Sequence, residues 1–479
     1  MPCPVFPRPG KTKTSLIKAF FSKRRSLLDG LYERSYRMKM GEVRLPGFAL
    51  YMVNQPDLVR RIMADDAARF PKHRLLGEML EPLLGQSIFT TNGAQWRKQR
   101  DMLDPAFEFA RVQHVFGLMQ EAAEGMMERL SALDADQPFD IDPEMTFVTA
   151  DIIFRTILSA KLEPGEARRI LDAFAEFQRE SPKVALARAF RVPSWMQSRA
   201  ALTRRKSAAN IIRQSLGAII LPRYEQAQLG APPRKEEPSD ILGSILRAVD
   251  PDTGKPFTFP EVVDQVSMLF LAGHETSASA LTWALYLLAI HPRIQGEAQA
   301  EIDRVVGSAA MTPAHMRRLP LLREIFREAL RLYPPVGFFV RETTEAIRMR
   351  DKVMRQGSTV IVSPWLIHRH EEFWDHPELF DPRRFSRGEP KCPARDGYLP
   401  FSTGPRVCIG ASFAQQEATL ILASILRSFE ISLAEGFVPD PVGRLTIRSD
   451  NGMVVRLRRR QPAQAPVPAA RLKAQGLLP

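Results

Sequence analysis

Cys408 has the most chemistry to offer. It lies in Phe401-Ser402-Thr403-Gly404-Pro405-Arg406-Val407-Cys408-Ile409-Gly410, a glycine-framed loop that runs into a helix-like stretch from Ala411 to Arg427. A thiol there sits near the positive end of the helix dipole, which favours the thiolate. Gly404 permits a turn that a side chain would block, and Gly410 lets a large flat ligand approach the backbone. Phe401 can cover the sulfur, and Arg406 offers a cation to a carboxylate. The loop suits a buried thiolate bound to a metal in a flat ring.

Further groups lie upstream. Leu271-Ala272-Gly273-His274-Glu275-Thr276-Ser277 interrupts an apolar run from Val266 to Ile290. A glycine weakens a helix, and a threonine hydroxyl can bond back to a carbonyl one turn earlier. Together they are expected to open the backbone ladder and turn polar groups toward a cavity. Glu328 and Arg331 share a helix face, although Glu-x-x-Arg occurs seven times in the chain and carries little weight alone. Trp96 and Arg100 also share a face, with the same spacing repeated at Trp195/Arg199 and Trp365/Arg369. His274, His368 and His370 lack the paired spacing of a zinc site and are assigned no catalytic role.

The cysteine loop resembles that of the cytochrome P450 superfamily, the haem-thiolate monooxygenases, with Phe401, Gly404, Arg406, Cys408 and Gly410 all matching. The resemblance extends from about Met38 to Arg458 and implies a mainly α fold with a small β part, the cytochrome P450 fold. It implies haem b (iron protoporphyrin IX), with Cys408 as the iron ligand and a thiolate that favours O–O cleavage. Trp96, Arg100, Arg341 and Arg406 match haem-propionate donors. Thr276 and Glu275 match the groups that deliver protons for dioxygen activation. Glu328 and Arg331, followed by Leu332-Tyr333-Pro334-Pro335, form with Arg384 the family's core triad, which braces the cysteine-bearing segment. Arg383 stands where the family often has Glu.

The substrate pocket should draw on Leu75–Phe89, Ala185–Trp195, Phe270–Ala272, Val336–Phe338 and Leu445–Ile447. Phe89, Ala272, Val336, Phe338 and Leu445 give it an apolar lining, so a lipophilic substrate is expected. No Gly-rich dinucleotide fingerprint or cysteine cluster follows the haem loop. Electrons are therefore expected from a separate ferredoxin or flavoprotein. A peroxide-driven haem-thiolate enzyme and a non-catalytic haem sensor are the alternatives. The Glu275-Thr276 pair argues against the first and the lack of an output module against the second.

The chain has 479 residues, 44% of them hydrophobic, enough for a large core. Its net charge of +13 is concentrated at the ends. Residues 1–40 hold ten Lys/Arg and two Asp/Glu, and residues 456–479 hold six Lys/Arg and no acid. The body is near neutral, which excludes a basic nucleic-acid-binding face. Cys3, Cys392 and Cys408 are too few and too odd for a disulfide framework, and fit a reducing, cytoplasmic setting. There is no secretory signal. Charge at the centre of the longest apolar run argues against a membrane span. Ser15–Tyr32 mixes basic and apolar residues in near-helical spacing, which allows weak contact with an anionic membrane surface. The expected organisation is a basic segment over 1–37, one P450 domain over 38–460 and a Pro/Ala-rich disordered tail over 461–479, in a monomeric chain.

These groups need scaffolding. Met38–Leu45 and Phe48–Val53 read as paired strands around Pro46-Gly47, and Pro56 opens a helix through Met63. Helical periodicity runs from Trp96 to about Leu221, with helices again after Pro260, near Ile294–Val306 and over Leu322–Leu332. Short strands follow near Ile347–Val353 and Thr359–Val362. Leu445–Arg448 and Met453–Leu457 flank Asp450-Asn451-Gly452, a hairpin signal.

Overall fold

Proline starts, side-chain caps and apolar periodicity divide the described residues into many helices and four small sheets. The computed structural model describes all residues except 1–2, 8, 12–25, 46–47, 109–112, 135, 190–198, 230–239, 388–396 and 461–479. In chain order the elements that position the site begin with strands β1 (Met40–Leu45) and β2 (Phe48–Val53). Helices follow: α1 (Arg74–Leu84), α2 (Gly93–Leu103), α3 (Phe116–Ser131), α4 (Asp142–Leu158), α5 (Pro164–Ala189), α6 (Arg199–Gln228), α7 (Phe259–Ile290), α8 (Pro292–Val305) and α9 (Pro320–Leu332). Then come β3 (Phe339–Glu342), β4 (Thr359–Val362), α10 (Ala411–Ser428), β5 (Phe429–Leu433), β6 (Pro441–Gly443), β7 (Ile447–Ser449) and β8 (Val454–Arg459).

Helix α7 is the axis of the fold. It is apolar on all sides, the pattern of a helix with no solvent face, and it packs against α4, α6, α9 and α10. Its start is a capping box: the Thr258 N–H donates to Glu261 Oε2 at 2.8 Å, and Pro260 occupies the first turn. The expected break at Leu271–Ser277 does not occur, because the helix is continuous from Phe259 to Ile290. Gly273 serves packing instead: a Cβ there would lie 2.4 Å from Ile153 Cδ1 on α4. The back-bond is present, with Thr276 Oγ1 donating to the Ala272 carbonyl at 2.6 Å.

The β region is small. One sheet has the order β1-β2-β4-β3, with β2 and β4 parallel and the other pairs antiparallel. Ile347–Val353 is not one strand but a tight hairpin, Ile347–Met349 with Lys352–Met354, turning where Arg350 has φ 54°. The hairpin expected around Asp450-Asn451-Gly452 does not form either. The turn exists, but β7 pairs back with β6, whereas β8 pairs with β5 and the short strand Phe139–Asp140. Asn451 ties the turn to neighbouring backbone instead, taking the Asp440 N–H at 2.9 Å and donating to the Val438 carbonyl at 3.0 Å.

The packed body also starts earlier than residue 38. The Val5 N–H donates to Tyr286 Oη at 3.0 Å, and the Tyr333 hydroxyl donates to the Val5 carbonyl. Gly10 bonds with Leu31 and Glu33, and Ser26 Oγ accepts the Gly443 N–H at 2.9 Å. Positive charge does not keep this segment off the fold, because its anchors are backbone groups and apolar side chains. Most of the proposed amphipathic stretch Ser15–Tyr32 lies outside the described residues, as do Cys392, the tail over 461–479 and the side chains of Ala185–Trp195. Among the described residues no helix is long and apolar enough to cross a membrane.

Candidate functional site

The cysteine loop is held at both ends. The Cys408 N–H donates to the Phe401 carbonyl at 2.9 Å and the Val407 N–H to the Gly404 carbonyl at 3.1 Å. Gly404 has φ +72°, and a Cβ there would lie 2.2 Å from the Met63 carbonyl oxygen, so turn and packing both demand glycine. Helix α10 begins directly after Gly410. At Gly410 a Cβ would meet nothing within 4 Å, which leaves that backbone open to a flat ligand. Cys408 is accessible although protein crowds it. Burial pushes its thiol up, while the Gly410 N–H and Arg100 pull it down less strongly. The helix end alone therefore does not make the thiolate. A coordinated cation would, because it deprotonates a thiol outright.

Around the loop stand three basic side chains, Arg341 buried and Lys72 and Arg406 half-buried. Arg406 donates to the Ala67 carbonyl at 3.0 Å and lies 5.3 Å from the Trp96 ring centre. Arg341, on β3, makes a backbone bridge with Lys72, and Lys72 Nζ donates to the Ile88 carbonyl at 2.5 Å. Burial drives the Lys72 ammonium down to about 6, with repulsion from Arg406 and Arg341 adding to it. Burial and Arg406 together lower Arg341 to about 9. Burial lowers Arg406 too. No acid of the described residues offsets these three, and Nε of both Arg341 and Arg406 has no partner. Like charges buried together call for anions, and the paired carboxylates of a haem have that chemistry. Trp96 is buried beside them on α2. Arg100 braces the loop, donating to the Val407 carbonyl at 2.7 Å and pairing with Asp104 at 2.5 Å.

The loop's near end is fixed through the charged triad. Glu328 takes Arg331 Nε and Nη2, both at 2.8 Å, and Arg384 Nε at 3.0 Å. All three residues are buried. Arg331 also donates to the His368 carbonyl at 2.8 Å, and His368 Nε2 accepts the Leu399 N–H at 2.8 Å, two residues before Phe401. Burial and the Arg331 charge lower His368 to about 3, so it is neutral and structural.

Ala272, Gly273 and Thr276 form an accessible patch on the otherwise buried middle of α7. Phe89, Val336, Phe338 and Leu445 are likewise half-buried. Glu275 does not stand free. Its carboxylate accepts from Arg448 Nη2 at 2.8 Å and from Thr446 Oγ1 at 2.6 Å. Burial raises this carboxyl, but Arg448, His274 and Thr446 outweigh it and keep it below the ordinary value. Ser277 Oγ donates at 2.6 Å to Glu417 on α10, whose Oε1 has no partner. Burial pushes Glu417 up to about 8.

Sequence reasoning missed Lys72, Glu417 and Arg448. Only Glu417 left a signal, as an acid in helical register with Phe413, Leu420 and Ile421 on an apolar face.

A mostly helical fold with an accessible cysteine in a glycine-framed loop, cations without an acid partner beside it and a polar patch on α7 suits a haem-thiolate protein. The comparisons agree. The family described as Cytochrome P450 matches residues 23–454, and the chain belongs to that family. It is 33% identical over 390 residues to Cyclooctatin synthase of Streptomyces melanosporofaciens, covering 80% of this chain and 81% of that one. It is 29% identical over 399 residues to human Cytochrome P450 4A11, covering 81% and 76% of the two chains. The heme domain of cytochrome P450DA superposes with TM-score 0.80 at 25% identity, covering 96% of this chain and 98% of that one. The protein is thus an oxidoreductase, a haem-thiolate monooxygenase that binds haem b. Members of this family take electrons from redox partners and bind lipophilic substrates.

Proposed function

We propose that Cys408 ligates the haem iron and that Lys72, Trp96, Arg100, Arg341 and Arg406 form the cradle for its propionates. The observation that carries this reading is Lys72, Arg341 and Arg406 gathered without an acid partner beside an accessible thiol. Bound haem supplies the activation of dioxygen and transfer of one oxygen atom to the substrate. The protein does the rest. Phe401 and Gly410 shape the sulfur side, and the apolar set Phe89, Ala272, Val336, Phe338 and Leu445 positions a lipophilic compound. Thr276 would hold a proton at its hydroxyl, and Glu275 would renew it. Electrons come from a separate ferredoxin or flavoprotein, and the chain works as a cytoplasmic monomer. The name of the bacterial relative, Cyclooctatin synthase, supports a biosynthetic role.

The cradle gives an unusual test, because burial and the nearby Arg406 and Arg341 hold Lys72 largely deprotonated until an anion arrives. Lys72→Met should raise the thermal midpoint of the haem-free protein while speeding haem loss to a haem-scavenging globin. A variant that changes neither quantity removes Lys72 from the cradle.

A further inference from the structure

Arg448 is the group that the reading above leaves unexplained. Its guanidinium lies against α7 and α4 at once. Nη2 reaches Glu275 Oε2 at 2.8 Å and the Glu275 carbonyl at 3.4 Å, and Nε reaches Glu275 Oε1 at 3.3 Å. Nη1 reaches Asp142 Oδ1 at 2.6 Å and Thr146 Oγ1 at 3.2 Å. Two residues back, Thr446 donates to the same carboxylate. Between them the Ile447 carbonyl accepts Ser279 Oγ at 2.7 Å and Trp283 Nε1 at 2.8 Å. Three consecutive residues of one hairpin thus grip successive turns of α7 at Glu275, Ser279 and Trp283. The turn of that hairpin, between Gly443 and Ile447, carries Leu445, the apolar residue assigned to the substrate pocket.

The arrangement keeps both proton-handling groups idle. Glu275 is bound to the hairpin, and the Thr276 hydroxyl is bound to its own helix. One guanidinium serves two acids, Glu275 and Asp142, so Arg448 retains a partner when Glu275 turns away. Asp142 is itself steadied by Thr282 Oγ1 at 2.9 Å. A buried cation left alone would oppose the movement strongly. This pairing removes that obstacle. His274, fully buried on α7, is the other titratable group acting on Glu275, and burial holds it below its ordinary value.

We propose that Arg448 and Thr446 are positioning residues that hold the Glu275 carboxylate on the hairpin, and that a substrate seated against Leu445 loosens this hold and frees the acid to serve Thr276. The proposal deepens the assignment of Glu275 and Thr276 to proton delivery and rests on it. It makes substrate arrival the event that connects the proton path.

The test uses the haem-loaded enzyme with a ferredoxin and ferredoxin reductase, measuring NAD(P)H consumption without substrate. Thr446→Val deletes one hydroxyl without changing charge, and should raise this idle consumption about tenfold, the worth of a bond to a charged acceptor. Arg448→Lys should raise it as well, since an ammonium cannot reproduce the two-acid fork. Adding Glu275→Gln to either variant should cancel the rise, which a general loosening of the fold would not allow. Infrared difference spectra give a second readout. A protonated-acid band absent from wild type should appear in Arg448→Gln and vanish when Glu275→Gln is added. Leu445→Ala should lower the ratio of substrate-bound to idle consumption. Idle rates at the wild-type level in Thr446→Val and Arg448→Lys, with Glu275→Gln alone impaired in coupled turnover, would overturn the hold and leave the relay standing. Glu275→Gln turning over like wild type would overturn both.

Discussion

Glu417→Gln should change how stability depends on pH, and the structure sets the size of the effect. The Glu417 carboxyl is buried between α7 and α10, accepts one hydrogen bond from Ser277 and has no partner for Oε1. Burial raises it from an ordinary 4.5 to about 8, so at neutral pH the folded chain holds a proton that the unfolded chain has lost. The sign follows. A carboxyl raised on folding contributes stability that is full below its unfolded value and lost as pH climbs toward the folded one. Across that window each pH unit costs the wild type about 1.4 kcal/mol, reaching about 5 kcal/mol as an upper bound near pH 8. Glutamine keeps an oxygen for the Ser277 hydroxyl and does not titrate. Urea unfolding of both proteins from pH 5 to 8 should therefore show the variant gaining on the wild type with each unit, then levelling off above pH 8. A difference that stays flat from pH 5 to 8 would show that Glu417 is already ionised in the folded chain, and the argument from burial would fail.

Glu328→Ala should lose soluble, haem-loaded protein, because it leaves Arg331 and Arg384 as buried cations without their shared acid. The cost of about 3–5 kcal/mol is a large part of a typical stability of about 5–15 kcal/mol; a variant with the wild-type urea midpoint would show the triad to be ornamental. Deleting residues 1–10 should lower the thermal midpoint, since it removes the Val5 backbone groups bonded to Tyr286 and Tyr333. Each buried hydroxyl left unsatisfied costs about 1–3 kcal/mol, and an unchanged midpoint would return these residues to the role of a free basic end. Thr276→Ala should leave haem and substrate binding intact while diverting electrons to hydrogen peroxide. Product formed per NAD(P)H consumed is the quantity to measure, and wild-type coupling would remove Thr276 from the mechanism.

What the sequence alone determined is what lies close together along it. Phe401 to Gly410 is a single loop, so its glycines, its arginine and its thiol could be read in order, and the helix that follows announces itself by periodicity. Helix α7 was legible for the same reason, since a long apolar run admits few other structures, although the polar residues at its centre suggested a break that the helix does not have. The alternation and turn residues near the C-terminus were also visible, but they mark a turn without naming the partner strand. Pairing is a non-local choice, and β7 and β8 went to different sheets. Charge gave no sign that Val5 and Phe6, within the basic N-terminal segment, pack partly buried against the core. Only the tertiary structure set Lys72 beside Arg341 and Arg406, joined Glu275 to Asp142 through Arg448, and set Glu417 under Ser277. Each of these is an electrostatic fact about groups remote in the chain. A charge takes its meaning from the partner or the lack of one that folding leaves beside it, and no local pattern records that.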